Sequence, residues 1–400
     1  VTTVAKWTGR EAKALREARR MSIRAFAAHL GVATASVANW EKRGSRIRLR
    51  TETQEILDRV LAAAPAEAHD RFTALLNPPA GQTPPATGDG AERLRHALAH
   101  PGRADLATAA HLGEQIHHLD GAYHRTPSAS LIGTASQRHA EISFLTSHAP
   151  AGPVRQQLLQ TLAASAVLMG QLVWDAALRR DHKAALGYFD QAVRAGHAGG
   201  DSMSTARAQL RMSLVALYGQ KNPVMGLHLA SQAAATSHAT STAFTGLALL
   251  HAAEAHATMG QARDCETSLH TAGQLIDTTS PGDPAASLVN AEDTHRMAGS
   301  CHLRLGHPTQ AARLLHVATR RGGTTKATAI AAANLTIAYA HQRQPDRAVA
   351  SLHHAIDIIA ATRGGGGLTT AFTALRTLNP WRTTPDVQHV HDRLHDLMTA

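Results

Sequence analysis

The chain has 400 residues, 44% hydrophobic, 18% charged and 4% aromatic, which excludes a collagen, a coiled-coil rod or a fully disordered chain and is too long for one ordinary core. Lys and Arg number 40 against 30 Asp and Glu, and residues 1–61 alone hold 13 of those cations with 6 acids. A basic excess gathered in one segment points to nucleic acid or another acidic partner for that segment.

Thr8 and Glu11 stand three apart before Ala12, Leu15 and Ala18, the spacing of a capping box, so a first helix is expected over about Arg10 to Arg20. Ser22 precedes Ile23, Phe26, Ala27 and Leu30, and Gly31 supplies the left-handed residue that lets the chain reverse after a short second helix. A third helix follows a tight turn, with Val37 and Trp40 on one face and Gly44 at its end. At 100° per residue Ala35, Ala38, Asn39 and Lys42 share the opposite face, flanked by Thr34 and Arg43. Small residues there permit close approach to a groove; Asn39 suits an adenine edge and Ala35 a thymine methyl. Lys42, Arg43, Arg46, Arg48 and Arg50 cluster after it, where long cations reach phosphates. Thr51 and Gln54 are expected to cap a further helix through Leu61.

The series Ser22-x-x-x-Phe26-Ala27-x-x-Leu30-Gly31-Val32 and Val37-x-x-Trp40-Glu41-x-x-Gly44, over roughly residues 8–63, resembles the Cro/repressor (XRE-type, lambda-repressor-like) helix-turn-helix family. The resemblance implies a recognition helix at Thr34–Arg43, base contacts from Thr34, Ala35 and Asn39, and phosphate contacts from Ser36, Lys42 and Arg43. The glutamine that this family often places after the helix-opening serine is missing. Ile23 stands there with Arg24 next, which makes Arg24 the candidate substitute anchor, and the usual hydroxyl cap of the recognition helix is Ala33.

Asn77 to Gly90, rich in Pro, Gly and Thr, reads as a flexible linker between a domain over 1–76 and a second over 91–400. Beyond it the apolar spacing is helical and β-branched alternation is almost absent, so the whole chain reads as all-α. Thr278 to Pro284 and Gly364 to Gly367 read as loops, because Gly and Pro there would break helical bonding. Ala185, Gly226, Cys265, Ala311 and Ala348 are each followed four residues on by Phe189, Ala230, Leu269, Leu315 and Leu352, and three further on by Ala192, Ala233, Ala272, Ala318 and Ala355. The final alanines are spaced 41, 39, 46 and 37 apart, which suits stacked two-helix units. Gly260 and Gly306 each sit twelve before the final alanine, where the turn between two helices belongs. These features resemble degenerate tetratricopeptide repeats over about 155–362, without the proline that usually closes each repeat. Such a solenoid exposes a concave face on its first helices, for which the polar and aromatic candidates are Trp174, Asp175, Arg211, His251, Glu254, His295, Arg296, Asn334 and Tyr339.

Cys265 and Cys301 cannot staple a chain of this length and read as small hydrophobes in a reducing compartment. No apolar run reaches membrane-spanning length, and Val1 to Arg20 lacks the apolar centre of a secretory leader, so a cytoplasmic protein with no membrane partner is expected. His391 with His395, His117 with His118 and His353 with His354 do not complete a spaced ligand set, and the usual phosphate-loop, nucleophile-elbow and zinc-helix signatures are absent. No metal, cofactor or catalysis is expected. The combination resembles intracellular one-component regulators, which implies a DNA-binding transcriptional regulator whose repeat domain dimerises and senses a peptide, small-molecule or protein signal. The alternative is a repeat scaffold whose basic head docks a protein partner rather than an operator.

Overall fold

Thr8 opens α1 (Gly9–Ala18) through the anticipated capping box, its backbone N–H donating to Glu11 Oε2 at 2.8 Å. The computed structural model describes residues 7–44, 47–76, 89–289, 291–321 and 323–399, and the chain divides into two units, Val1–Ala86 and Thr87–Ala400. In the first unit α1 is followed by α2 (Ile23–Leu30), α3 (Thr34–Arg43), α4 (Thr51–Ala62) and α5 (Ala66–Leu76). The Ser22 hydroxyl accepts from Ala25 N–H and Gly31 adopts φ 69°, so both expected signals around α2 operate. Ala33 precedes α3 and offers it no side-chain cap.

Trp7, Leu15, Phe26, Val37, Leu57 and Phe72 fill this unit's core. Trp7 carries more of it than periodicity suggested. Its indole N–H donates to Asp58 Oδ1 at 2.7 Å, its ring lies 5.9 Å from that of Phe72, and its backbone N–H donates to Gln54 Oε1 at 3.2 Å. Gln54 therefore ties Trp7 to Leu49, whose carbonyl accepts its amide at 2.8 Å, and does not cap α4; Arg50 is the cap residue and makes no side-chain bond there. Arg16 holds Glu41 in a bidentate pair at 2.6 and 3.0 Å, locking α1 to α3, and Arg71 donates to the Ala18 carbonyl at the end of α1. An isolated antiparallel bridge joins Thr8 and Arg48; every other element among the described residues is helical.

Most of the expected linker, residues 77–88, lies outside the described residues, while its last two, Asp89 and Gly90, already belong to α6 (Asp89–Ala99). The second unit continues with α7 (Leu106–Tyr123) and α8 (Ser128–His148). Five helix pairs follow: α9 (Pro153–Ala176) with α10 (His182–Gly199), α11 (Ser202–Leu214) with α12 (Pro223–Ser237), α13 (Thr242–Thr258) with α14 (Ala262–Asp277), α15 (Ala291–Arg304) with α16 (Pro308–Arg321), and α17 (Lys326–His341) with α18 (Pro345–Thr362). The last helices are α19 (Gly365–Thr377) and α20 (Pro385–Thr399). Each copy of the small-large-Ala pattern falls on the second helix of a pair, and all of its residues but Leu269 are buried. Small side chains there let the paired helix axes approach.

The turn inside each pair is left-handed. Gly260 and Gly306 take it as expected, at φ 74° and 79°, but in the same register Lys221 and Arg343 adopt φ 57° and 56°, and Leu178 and Arg179 do so in the first pair. Thr278 to Pro284 is a loop, as anticipated, whereas Gly364 to Gly367 is not: Gly364 is the cap residue of α19 and the other three form its first turn. Contact, not turning, explains those glycines. A Cβ on Gly365 would stand 2.5 Å from the Asp175 carbonyl oxygen, and one on Gly366 would overlap the Arg179 guanidinium.

That contact closes the stack. Asp175 at the end of α9 accepts from Gly365 N–H at 2.9 Å and from the Ser128 hydroxyl at 2.7 Å, and pairs with Lys326 Nζ at 2.9 Å. Lys326 also donates to Ser128 Oγ at 2.7 Å, lies 4.1 Å from the centre of the Tyr123 ring, and gives its backbone N–H to the His124 carbonyl at 2.9 Å. The first helices α9, α11, α13, α15, α17 and α19 thus follow one another around a centre until α19 meets α9 again.

Candidate functional site

In the first unit, α3 buries Val37 and half-buries Trp40, leaving Thr34, Ala35, Ala38, Asn39, Lys42 and Arg43 exposed and Ser36 half-buried. Arg24, Arg48 and Arg50 are exposed as well, and Arg46 lies outside the described residues. Among the described residues no ion pair or side-chain hydrogen bond engages Arg24, Lys42, Arg43, Arg48 or Arg50, in contrast to Arg16, whose charge is consumed by Glu41. The face is therefore a polar, small-residue surface bordered by cations free to meet anions.

In the second unit, the first helices surround a cavity of about 1220 Å³. Nine Lys and Arg side chains and three carboxylates line it among the described residues. Arg207 pairs with Asp120 at 2.6 Å and Arg304 with Glu254 at 3.2 Å, while the Tyr218 hydroxyl donates to Glu254. Burial works to raise the Asp120 and Glu254 pKa values, but the facing cations outweigh it and hold both below the ordinary carboxylate range. Burial and the neighbouring Glu254 charge together push the Tyr218 phenol well up.

His251 stands 3.8 Å from Glu254 without a hydrogen bond to its buried Nδ1. Burial drives its pKa down to about 4, with Arg296 and Arg211 adding to the effect and Glu254 opposing it, so the ring is neutral and its contact with Glu254 is no ion pair at neutral pH. Burial also lowers the Lys221 pKa, reinforced by Arg304 and Arg179, and lowers that of Arg211, where Tyr123 and Asp120 oppose it and Arg207 and Arg179 add to it. The lining thus carries more cations than its own carboxylates can pair.

Of the nine residues anticipated on the concave face, Arg211, His251, Glu254, Arg296 and Asn334 line the cavity. Trp174 is instead core, its indole N–H donating to His182 Nδ1 at 3.2 Å, and Asp175 is the buried anion of the closing contact. Tyr339 is packed between α17 and α18 with the Arg347 guanidinium 4.1 Å above its ring, and His295 on α15 does not reach the cavity. These four lie elsewhere because a polar or aromatic residue on a first helix also serves pair packing and helix-end contacts. Asp120, Arg179, Arg207, Tyr218, Lys221, Arg304 and Lys326 line the cavity without having been anticipated. A signal existed for some of them: Arg207 with Arg211, and Arg296 with Arg304, recur at four and eight residues along one helical face.

No helix among the described residues is long and apolar enough to cross a membrane. No family model matches the chain, and no curated protein matches it. Among solved structures, the crystal structure of yeast Tom70 aligns with 95% of this chain and 85% of its own length at 11% identity and a TM-score of 0.32. At that score the description of the second unit rests on its own geometry: an all-α stack of helix pairs around a polar cavity.

Proposed function

We propose that this protein is a cytoplasmic, non-catalytic DNA-binding transcriptional regulator. Its first unit would act as a Cro/repressor-like helix-turn-helix reader, and its tetratricopeptide-like second unit would dimerise and receive a signal in the cavity. The observation that carries the reading is the outer face of α3, where exposed Thr34, Ala35 and Asn39 stand beside the unengaged cations Lys42, Arg43, Arg48 and Arg50. Side chains that hydrogen-bond base edges specify sequence, and cations on phosphates fix position. A single short helix reads few base pairs, so specificity requires two heads on half-sites about 34 Å apart or a multiple of that. The free thiols Cys265 and Cys301, buried together between α14 and α15, suit a reducing interior.

The test is selection of bound duplexes from a random pool by the full-length protein. Wild type is expected to enrich a repeated motif, Asn39→Ala to blur it, and Arg48→Ala to weaken all duplexes alike while reducing the slope of log affinity against log salt by about 1. Equal losses of preference and of affinity in both variants would refute the division of roles.

The stacked helix pairs themselves favour a second reading, a protein-interaction scaffold whose basic head docks an acidic partner. That reading predicts salt-dependent partner binding with no enriched duplex.

A further inference from the structure

We infer that the cavity of the second unit binds a compact polyanion, a small molecule carrying two or more phosphate or carboxylate groups, through Arg179, Arg211 and Lys221. This deepens the reading of the second unit as a signal receiver and rests on it.

Four of the cavity's cations are already paired. Arg207, Arg296, Arg304 and Lys326 each face a carboxylate within the protein. Arg179, Arg211 and Lys221 line the same cavity with no carboxylate within ion-pair distance and no side-chain hydrogen bond among the described residues, Asp120 attracting Arg211 only from beyond that distance. Arg179 is held between two rings, 4.9 Å from the centre of Trp174 and 5.8 Å from that of Tyr218, and its buried Nε lacks a partner. Its backbone is left-handed, at φ 60°, as is that of Lys221 at φ 57°, so two strained turns deliver two cations to one place. Buried Nε of Arg296 and Nδ1 of His251 on the same wall are likewise without hydrogen-bond partners.

Burial lowers the pKa values of Lys221 and Arg211, and the cations beside them add to it, so gathering them here is costly to the fold as it stands. An anion between them removes the repulsion and fills the open hydrogen-bond positions, and forked guanidiniums suit phosphate or carboxylate oxygens. A cavity of about 1220 Å³ holds one such molecule with its water, not a folded partner.

The probe is inorganic tripolyphosphate, titrated into the full-length protein by calorimetry and thermal melting. Wild type is expected to bind it and to melt several degrees higher when saturated. The double variant Arg211→Met/Lys221→Asn is expected to bind at least tenfold more weakly, yet to melt at or above wild type without tripolyphosphate, because the repulsion is gone. A double variant that melts below wild type would show the cations to be structural, and an unchanged affinity would place the anion on the basic first unit. Either result, or no binding by wild type, overturns the inference. Duplex selection run in parallel separates the two proposals: an enriched motif with no cavity binding leaves the regulator standing, and cavity binding with no motif leaves a receptor that is not a DNA reader.

Discussion

His251 shows how a single side chain records its surroundings. Its folded pKa of about 4 lies below the ordinary value of 6.5, so between those two pH values the unfolded chain binds a proton that the folded chain refuses. Stability is therefore full above pH 6.5 and is lost as the pH falls through the window, by about 3 kcal/mol over its whole width. Burial lowers the pKa values of His124, His139, His302 and His353 as well, and these add to the same slope. Glu254, with its pKa held down, loses its contribution only at more acid pH and does not blur the window. Melting temperatures measured from pH 7 to pH 5 should fall less steeply in His251→Phe than in wild type; parallel curves would mean that His251 takes up its proton as readily in the folded as in the unfolded chain.

The paired helices show the same economy at the scale of an element. Gly260, Gly306, Lys221 and Arg343 occupy one turn register, and only the glycines hold positive φ without cost, since an L side chain there loses roughly 1–2 kcal/mol. Lys221 and Arg179 accept that strain while lining the cavity, whereas Arg343 lies outside it. Arg343→Gly should thus stabilise the protein by about 0.5–1 kcal/mol, the relieved strain less the added freedom of the unfolded chain. An unchanged or lowered melting temperature would show that the Arg343 side chain makes a compensating contact.

Local signals such as these were legible in the sequence. Ser22 and Gly31 stand where spacing put them, as do the buried faces of α10, α12, α14, α16 and α18, because capping and 3.6-residue periodicity act over a few residues; the α3 limits Thr34 and Arg43 are those that the helix-turn-helix resemblance implied. The Gly364 to Gly367 run misled, because glycine was wanted for contact with Asp175 and Arg179 and not for a turn. Most of the cavity lining was illegible for a related reason. Which side chains face a common centre depends on the small rotation accumulated from pair to pair, and no single window of sequence contains that sum.

At the scale of the molecule, charge and chain closure are distributed differently. Residues 1–61 carry seven of the ten net positive charges, while nine cations of the second unit gather around its cavity. Its closing contact is an ion pair nearly removed from water, with 7% of the Lys326 side chain and 2% of the Asp175 side chain exposed. Burial lowers the Lys326 pKa, and Asp175 restores part of it. Asp175→Asn should destabilise the protein by roughly 3–5 kcal/mol, because it strands a buried ammonium, and the added Lys326→Met change should recover part of the loss. Denaturant unfolding of wild type, single and double variants measures this; a single-variant loss under about 1 kcal/mol would mean that the contact does not hold the ends together.

The closing contact also sets a timetable for the nascent chain. Neighbouring pairs need only residues a few tens of positions apart, but Ser128 meets Lys326 across 198 residues and Asp175 meets Gly365 across 190. At 5–20 residues per second, Asp175 leaves the ribosome roughly 8–30 s before Lys326 does. For that interval the growing stack lacks its closing contact, which forms only when α17 and α19 arrive.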